Sequence, residues 1–238
     1  MRPEDRDREA TCFRLLRELH DCEFVLIGGY AVSAYGPPRF SVDLDLVVPP
    51  TSVVPIRRIL RKRGMARVKA WDGGGVFQGR AERWALGAAA LPVAVDLLVG
   101  GVYDRVSKAS HTYEDLREGS SIRVLRGLDP GSTAESRVAS REALLALKIE
   151  AGRRVDLRDV AVLAAGPVKP ARIEALLLPG GERGVVLDHL RQLEDASSSQ
   201  DFIDSLKGVY MLDDRGLQRM LVAATRLARS LRQRLIGM

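Results

Sequence analysis

The sequence predicts an α/β (α+β) protein in which a sheet flanked by helices occupies the first part of the chain and a helical domain the remainder. Three observations predict it. Short apolar segments separated by turn signals fill the chain to about residue 135, and helical periodicity takes over beyond that point. Near the start, the apolar run Phe24-Val-Leu-Ile27 stops at Gly28-Gly29 and is followed by an alternating segment, Val42 to Val48, that carries two acids. The composition change divides the chain into domains 1–135 and 136–238.

The elements follow in order. Arg6 to His20 reads as a first helix. Phe24 to Ile27 fits a buried strand entering a tight turn, where a side chain on either glycine would obstruct close backbone approach. Tyr30 to Tyr35 is helix-compatible, so its first N–H groups would point at that turn and favour an anion there. In Val42 to Val48 a period of two sets Asp43 and Asp45 on one face and Leu44 and Leu46 on the other. Thr51 to Arg63 is a second flanking helix. Strand candidates are Arg67–Trp71, Val76–Gly79, Arg83–Gly87, Val93–Val99 and Ile122–Leu125, with a hairpin turn at Asp72-Gly-Gly-Gly75.

Gly127 to Thr133 reads as a linker. After it, Ser140 is a good N-cap for a helix from Arg141 to Ala151, which Gly152 would end. Further helices are expected at Leu157–Ala165, Arg172–Leu178, Arg183–Leu193, Phe202–Lys207 and Asp213–Leu235, punctuated by Asp195-Ala-Ser-Ser-Ser-Gln200. No internal repeat of solenoid period is present.

Two carboxylates held side by side repel each other, and Mg²⁺ is the usual resolution, since a hard divalent cation takes carboxylate oxygens and leaves positions for water and phosphate. The bland alternative for Asp43 and Asp45 is a charged, solvated edge strand; the interleaved leucines and the following Val47 and Val48 point instead to an internal strand. Asp96 stands alone in the apolar run Leu91-Pro-Val-Ala-Val-Asp-Leu-Leu-Val99. An acid there is costly to bury unless paired or metal-bound; the alternative is a strand-end acid capping the Gly100-Gly101 turn.

Ile27-Gly28-Gly29, a spacer, and Asp43-Leu44-Asp45-Leu46 resemble the signature of the DNA polymerase beta superfamily of nucleotidyltransferases. More closely, Gly28-Gly-Tyr-Ala with Tyr35-Gly36, Arg39, Ser41 and Asp43-Leu-Asp is similar to the abortive-infection AbiEii-like toxin group. Ser41 stands where that group usually has Thr, and it keeps the hydroxyl. The resemblance implies a nucleotidyltransferase fold with a mixed, mostly antiparallel sheet. It implies that Asp43 and Asp45 bridge two Mg²⁺ ions, that Asp96 holds the catalytic metal and helps deprotonate the attacking hydroxyl, and that Gly28, Gly29, Arg39 and Ser41 serve the nucleotide. Downstream, Lys148, Arg153, Asp156 and Asp159 match the group's Leu-Lys, Arg, Asp-X-X-Asp pattern. Lys148 would then reach the β- and γ-phosphates, while Arg153 and the two acids organise the phosphate end or the helical domain. Val155 replaces a lysine common in the group. The bland alternative for this cluster is a solvated helix face with charge pairs.

The resemblance implies in-line transfer of a nucleoside monophosphate from an NTP to an acceptor hydroxyl, with release of pyrophosphate, by a toxin of a toxin–antitoxin or phage-defence pair acting on the tRNA 3′ end. The alternatives are adenylylation of a small molecule or partner protein, and a non-catalytic nucleotide-binding module. Partners expected on this basis are an NTP, tRNA and a cognate antitoxin.

Composition adds limits. In 238 residues no apolar run approaches the roughly 20 needed to span a bilayer, and the charged start lacks a signal-peptide core, so a cytoplasmic protein is expected. Cys12 and Cys22 lack metal-ligand spacing, and His20, His111 and His189 are scattered. The net charge of +6 suits a polyanionic partner. Its densest stretches are Arg57, Arg58, Arg61, Lys62 and Arg63, and Arg226, Arg229, Arg232 and Arg234.

Overall fold

The computed structural model describes residues 2–72, 80–87, 92–177 and 181–237. The turn expected at 73–75, the strand expected at 76–79 and the last residue of the helix expected to end at Leu178 lie outside them. The chain divides into two compact units: residues 1–34, 38–103 and 111–140 form the first, and 35–37, 104–110 and 141–238 the second.

The first unit begins with α1 (Pro3–Glu18), β1 (Val25–Ile27), α2 (Gly28–Val32) and β2 (Asp43–Val48). A 3₁₀ turn at Pro50–Ser52 leads into α3 (Val53–Lys62), then β3 (Ala66–Asp72), β4 (Arg80–Leu86), β5 (Val93–Val99) and β6 (Gly101–Tyr103). After β7 (Ser110–Thr112) come α4 (Tyr113–Arg117), β8 (Ser121–Arg126) and β9 (Thr133–Val138). Seven strands form one sheet in the order β3-β4-β5-β2-β1-β9-β8. Its β2–β5 and β1–β9 pairs are parallel and the other four antiparallel, so the sheet is mixed and mostly antiparallel. β6 and β7 form a separate two-stranded sheet.

The local sequence explains these elements. Cys12, Phe13, Leu15 and Leu16 give α1 a buried stripe that Leu19, just past its end, continues, and Phe13 meets Tyr30 of α2 edge-to-face at 5.5 Å between ring centres. Buried Glu9 of α1 accepts from the amides of Leu128 (2.9 Å) and Asp129 (2.8 Å), which fixes the turn before β9. α4 is started by a reciprocal capping box between Thr112 and Asp115.

The structure corrects several expectations. The helix after the glycine turn starts at Gly28 itself and ends at Val32, short of the expected Tyr35. The linker expected up to Thr133 is followed by a strand, not by helix: β9 slots between β1 and β8, with Ala134, Ser136 and Val138 buried. Its inward residues are too small and polar to advertise an apolar alternation. The dense basic stretch of α3 is also partly occupied. Arg57 forks onto buried Glu82, Arg63 pairs with Glu18, and the Arg61 guanidinium lies 5.3 Å from the centre of the Trp84 ring.

The second unit is helical: α5 (Arg141–Ala151), α6 (Arg154–Ala164), α7 (Pro170–Leu177), α8 (Arg183–Ala196), α9 (Gln200–Tyr210) and α10 (Asp214–Ile236). α5 packs on α6, α7 and α8, and α10 on α6, α7 and α8. Asp213 caps α10 by accepting from the Gly216 amide at 2.7 Å, and Leu217, Met220, Leu221, Ala224, Leu227, Ala228, Leu231 and Leu235 form its buried stripe. No helix among the described residues is long and apolar enough to cross a membrane.

Candidate active site

The site begins with strand register. Asp45 of β2 faces Ile27 of β1 on one side and Asp96 of β5 on the other, and Asp96 in turn faces Arg83 of β4. Residues opposite each other in a ladder point to the same face, so Asp45, Asp96 and Arg83 form a row across three strands. Asp43 lies two residues before Asp45 on that face, while Leu44 and Leu46 are fully buried on the other. One carboxylate oxygen from each of Asp43, Asp45 and Asp96 lies within 4.8 Å of the others.

Such an all-oxygen set of three carboxylates is a ligand set for a hard divalent cation such as Mg²⁺. Two further observations fit one. The Asp96 Oδ1 atom is buried without a hydrogen bond among the described residues, and a buried acceptor of this kind calls for a partner. Burial raises the Asp96 carboxyl to about 6; Arg83 opposes the shift and Asp43 adds to it. Asp96 sits in the middle of its strand, four positions before Gly100, and does not cap the turn.

The glycine turn lies directly beyond Ile27. Gly28 has φ +73°, and a Cβ on it would stand 1.9 Å from Asp45 Oδ2. The turn therefore needs glycine on two counts, conformation and space. Gly28→Ala is expected to destabilise the protein by about 1–3 kcal/mol and to displace the Asp45 carboxylate. Urea unfolding together with a transfer assay checks this; unchanged stability would show that the turn adopts another conformation.

A Cβ on Gly29 would meet Ser41 Oγ at 2.7 Å and Arg39 Nη2 at 2.8 Å. Both side chains are buried over the turn: Ser41 Oγ donates to Asp43 Oδ1 (3.2 Å), Arg39 Nη1 donates to the Phe40 carbonyl (3.1 Å), and the Tyr30 hydroxyl donates to the Ser41 carbonyl (2.7 Å). Gly28, Gly29, Arg39 and Ser41 are thus gathered with the three acids in the first unit.

Lys148, Arg153, Asp156 and Asp159 form a second cluster, in the helical unit. The Lys148 amine lies 2.8 Å from both Asp156 Oδ1 and Asp159 Oδ2, with both acids fully buried. Arg153 Nε reaches Asp156 Oδ2 at 2.6 Å from a side chain that is 71% exposed, and the Tyr210 hydroxyl donates to Asp159. Burial pulls the Lys148 pKa down, but Asp159 and Asp156 outweigh it and leave the ammonium above the ordinary lysine range.

Sequence reasoning missed two contributors. Tyr30 ties the helix after the glycine turn to the loop carrying Ser41. Arg83 donates to Asp96 Oδ2 at 2.9 Å and lies 3.7 Å from Asp43 Oδ2. The signal for Arg83 was faint: it alternates with Glu82 and Trp84, which share the opposite face, but its row depends on the hairpin register with the strand carrying Asp96.

Among solved structures, MenT4, a nucleotidyltransferase toxin of Mycobacterium tuberculosis H37Rv, superposes with a TM-score of 0.50 at 17% identity, over 99% of this chain and 94% of that one. JHP933 from Helicobacter pylori gives a TM-score of 0.48 at 17% identity over 100% and 95% of the two chains. A search of the curated proteins finds no match. The family comparison reaches further: the profile described as "Nucleotidyl transferase AbiEii toxin, Type IV TA system" matches residues 13–229. Nearly the whole chain is covered, so this nucleotidyltransferase belongs to the AbiEii toxin family of type IV toxin–antitoxin systems.

Proposed function

We propose that the protein transfers a nucleoside monophosphate from an NTP to the 3′-terminal hydroxyl of a tRNA, releasing pyrophosphate, with Mg²⁺ held by Asp43, Asp45 and Asp96. The observation that carries this reading is the convergence of those three acids from adjacent strands, one with a buried oxygen that has no hydrogen bond among the described residues. Divalent ions held there would neutralise the triphosphate and stabilise the oxygens that attack and leave. Asp96, whose carboxyl burial raises to about 6, accepts the proton of the attacking hydroxyl. Gly28 and Gly29 let the phosphates approach the backbone, and Arg39 and Ser41 flank that approach. Arg153 and Lys148 serve the phosphate end. The exposure of Arg153 supports that role more directly than the position of Lys148 between two acids. Membership of a type IV family supports a cognate antitoxin as partner.

A polyanionic acceptor is supported by α10. Arg229 and Arg232 pair with Glu194, and Arg234 with Glu174, so most of the basic residues singled out from the sequence are neutralised. Arg215, Arg219 and Arg226 are different: exposed and without an ion pair among the described residues, they border a groove of about 820 Å³ with an apolar wall that includes Val168, Val222 and Leu227. Their spacing places them along one side of the helix. Such a row matches the phosphates of an RNA backbone.

The test is to incubate the protein with Mg²⁺, each labelled NTP in turn, and purified tRNA. Label at the tRNA 3′ end is the expected result; label on protein or on a small molecule instead would overturn the acceptor, and none anywhere would overturn the activity. The triple variant R215E/R219E/R226E is expected to label tRNA at least about tenfold less, with a shallower salt dependence. Equal labelling at all salt concentrations would remove α10 from the acceptor site.

A further inference from the structure

We infer that Arg83 is the positioning residue for Asp96, turning one oxygen of that carboxylate toward the cation by holding the other; this rests on the reading of Asp43, Asp45 and Asp96 as the metal site. Arg83 and Asp96 face each other in the β4–β5 ladder, so backbone pairing, not a chance side-chain excursion, brings them together. Arg83 Nη1 donates to Asp96 Oδ2 at 2.9 Å, and the same side chain brings Nη2 to 3.7 Å from Asp43 Oδ2. The other Asp96 oxygen, Oδ1, is buried and has no hydrogen bond among the described residues. The carboxylate is thus divided: one oxygen is held by the guanidinium, and the other is the one this reading gives to the cation.

The opposite face of β4 keeps Arg83 in place. Glu82, almost fully buried, accepts from Arg57 Nε (2.9 Å), Arg67 Nη1 (3.1 Å) and Trp84 Nε1 (3.0 Å). That network anchors the strand on both sides of Arg83. A planar guanidinium with two divergent donors suits the task of spanning two carboxylates; a lysine ammonium is a single point charge and would reach one at a time. A carboxylate ligand that is itself hydrogen-bonded keeps its orientation when the cation leaves, which is how outer partners raise affinity.

The experiment is a titration with Mn²⁺ followed by electron paramagnetic resonance, without nucleotide, on the wild type, R83Q, R83K and D45N, with thermal unfolding of each. Wild type is expected to bind Mn²⁺ and D45N to lose it. R83Q is expected to bind about 10–100-fold more weakly, with R83K between the two because it keeps the charge and loses the fork. With NTP and acceptor, R83Q should lower kcat more than it raises KM for the NTP. A wild type that binds Mn²⁺ together with an R83Q that binds it equally well would overturn the positioning role and leave the metal site intact. Tighter binding by R83Q would overturn it too, making the guanidinium a competitor of the cation. A wild type that binds no Mn²⁺ would remove the metal reading itself, and the inference with it. If R83Q does not fold, the R83K comparison decides: affinity equal to wild type overturns the inference.

Discussion

Asp45→Asn, and separately Asp43→Asn, is expected to lower nucleotidyl transfer by about a thousandfold or more while leaving the protein folded. The reasoning combines chemistry and electrostatics. The cation held by the triad would contribute several kcal/mol to charge stabilisation in the transition state, and about 4 kcal/mol is a factor of about a thousand in rate. Stability moves differently. With no cation bound, the three acids repel one another at separations within 4.8 Å, so neutralising one should leave the melting temperature unchanged or raise it. Saturating wild type with Mg²⁺ at roughly ten times its Kd should add about 1.4 kcal/mol, a rise of about 3–6 °C for a chain of this size. Asn variants should lose that rise. Melting curves with and without Mg²⁺, next to a transfer assay, check both halves; transfer that survives in both variants would show that the metal site lies elsewhere.

Lys148→Met is expected to cost about 3–5 kcal/mol of stability, because it removes the cation from between two fully buried acids. Arg153 still brings a positive charge to Asp156, and the Tyr210 hydroxyl still donates to Asp159. K148M/D159N should recover much of the deficit, and this coupling separates the roles proposed for the lysine. Urea unfolding of the single and double variants measures it. A lysine that served only as a phosphate ligand would give the opposite pattern, with full stability and weakened NTP binding.

How much of this was legible in the sequence depends on whether a residue's partner was local. Asp43 and Asp45 could be paired on paper because a period of two is built into any strand, and the leucines between them mark the buried face. The bounds of α5 were likewise readable from Ser140 and Gly152, both adjacent to the helix they delimit. β9 was not, since Thr133-Ala-Glu-Ser-Arg-Val138 contains only one large apolar residue and becomes a strand through its neighbours β1 and β8. Arg83 was hidden for a related reason: nothing near it in the chain reveals that β4 pairs with β5 so as to set it opposite Asp96. The charge row at the end of α10 misled in the other direction. Sequence shows four arginines there and cannot show that Glu194 and Glu174, on other helices, have already taken three of them.

The unbroken parallel pairing of β2 with β5, running from Asp43–Ala94 to Val48–Val99, ties catalytic geometry to folding fidelity. A slip of one residue between these strands would turn Asp96 to the opposite face and bury it among leucines. Asp45 and Asp96 therefore stay side by side only while the two strands keep this register. Amide protons of β2 and β5 should be among the slowest in the protein to exchange with deuterium, opening only with the sheet as a whole. Substitutions that weaken the sheet core would then reduce activity by shrinking the folded population, and the molecules that remain folded would keep full competence.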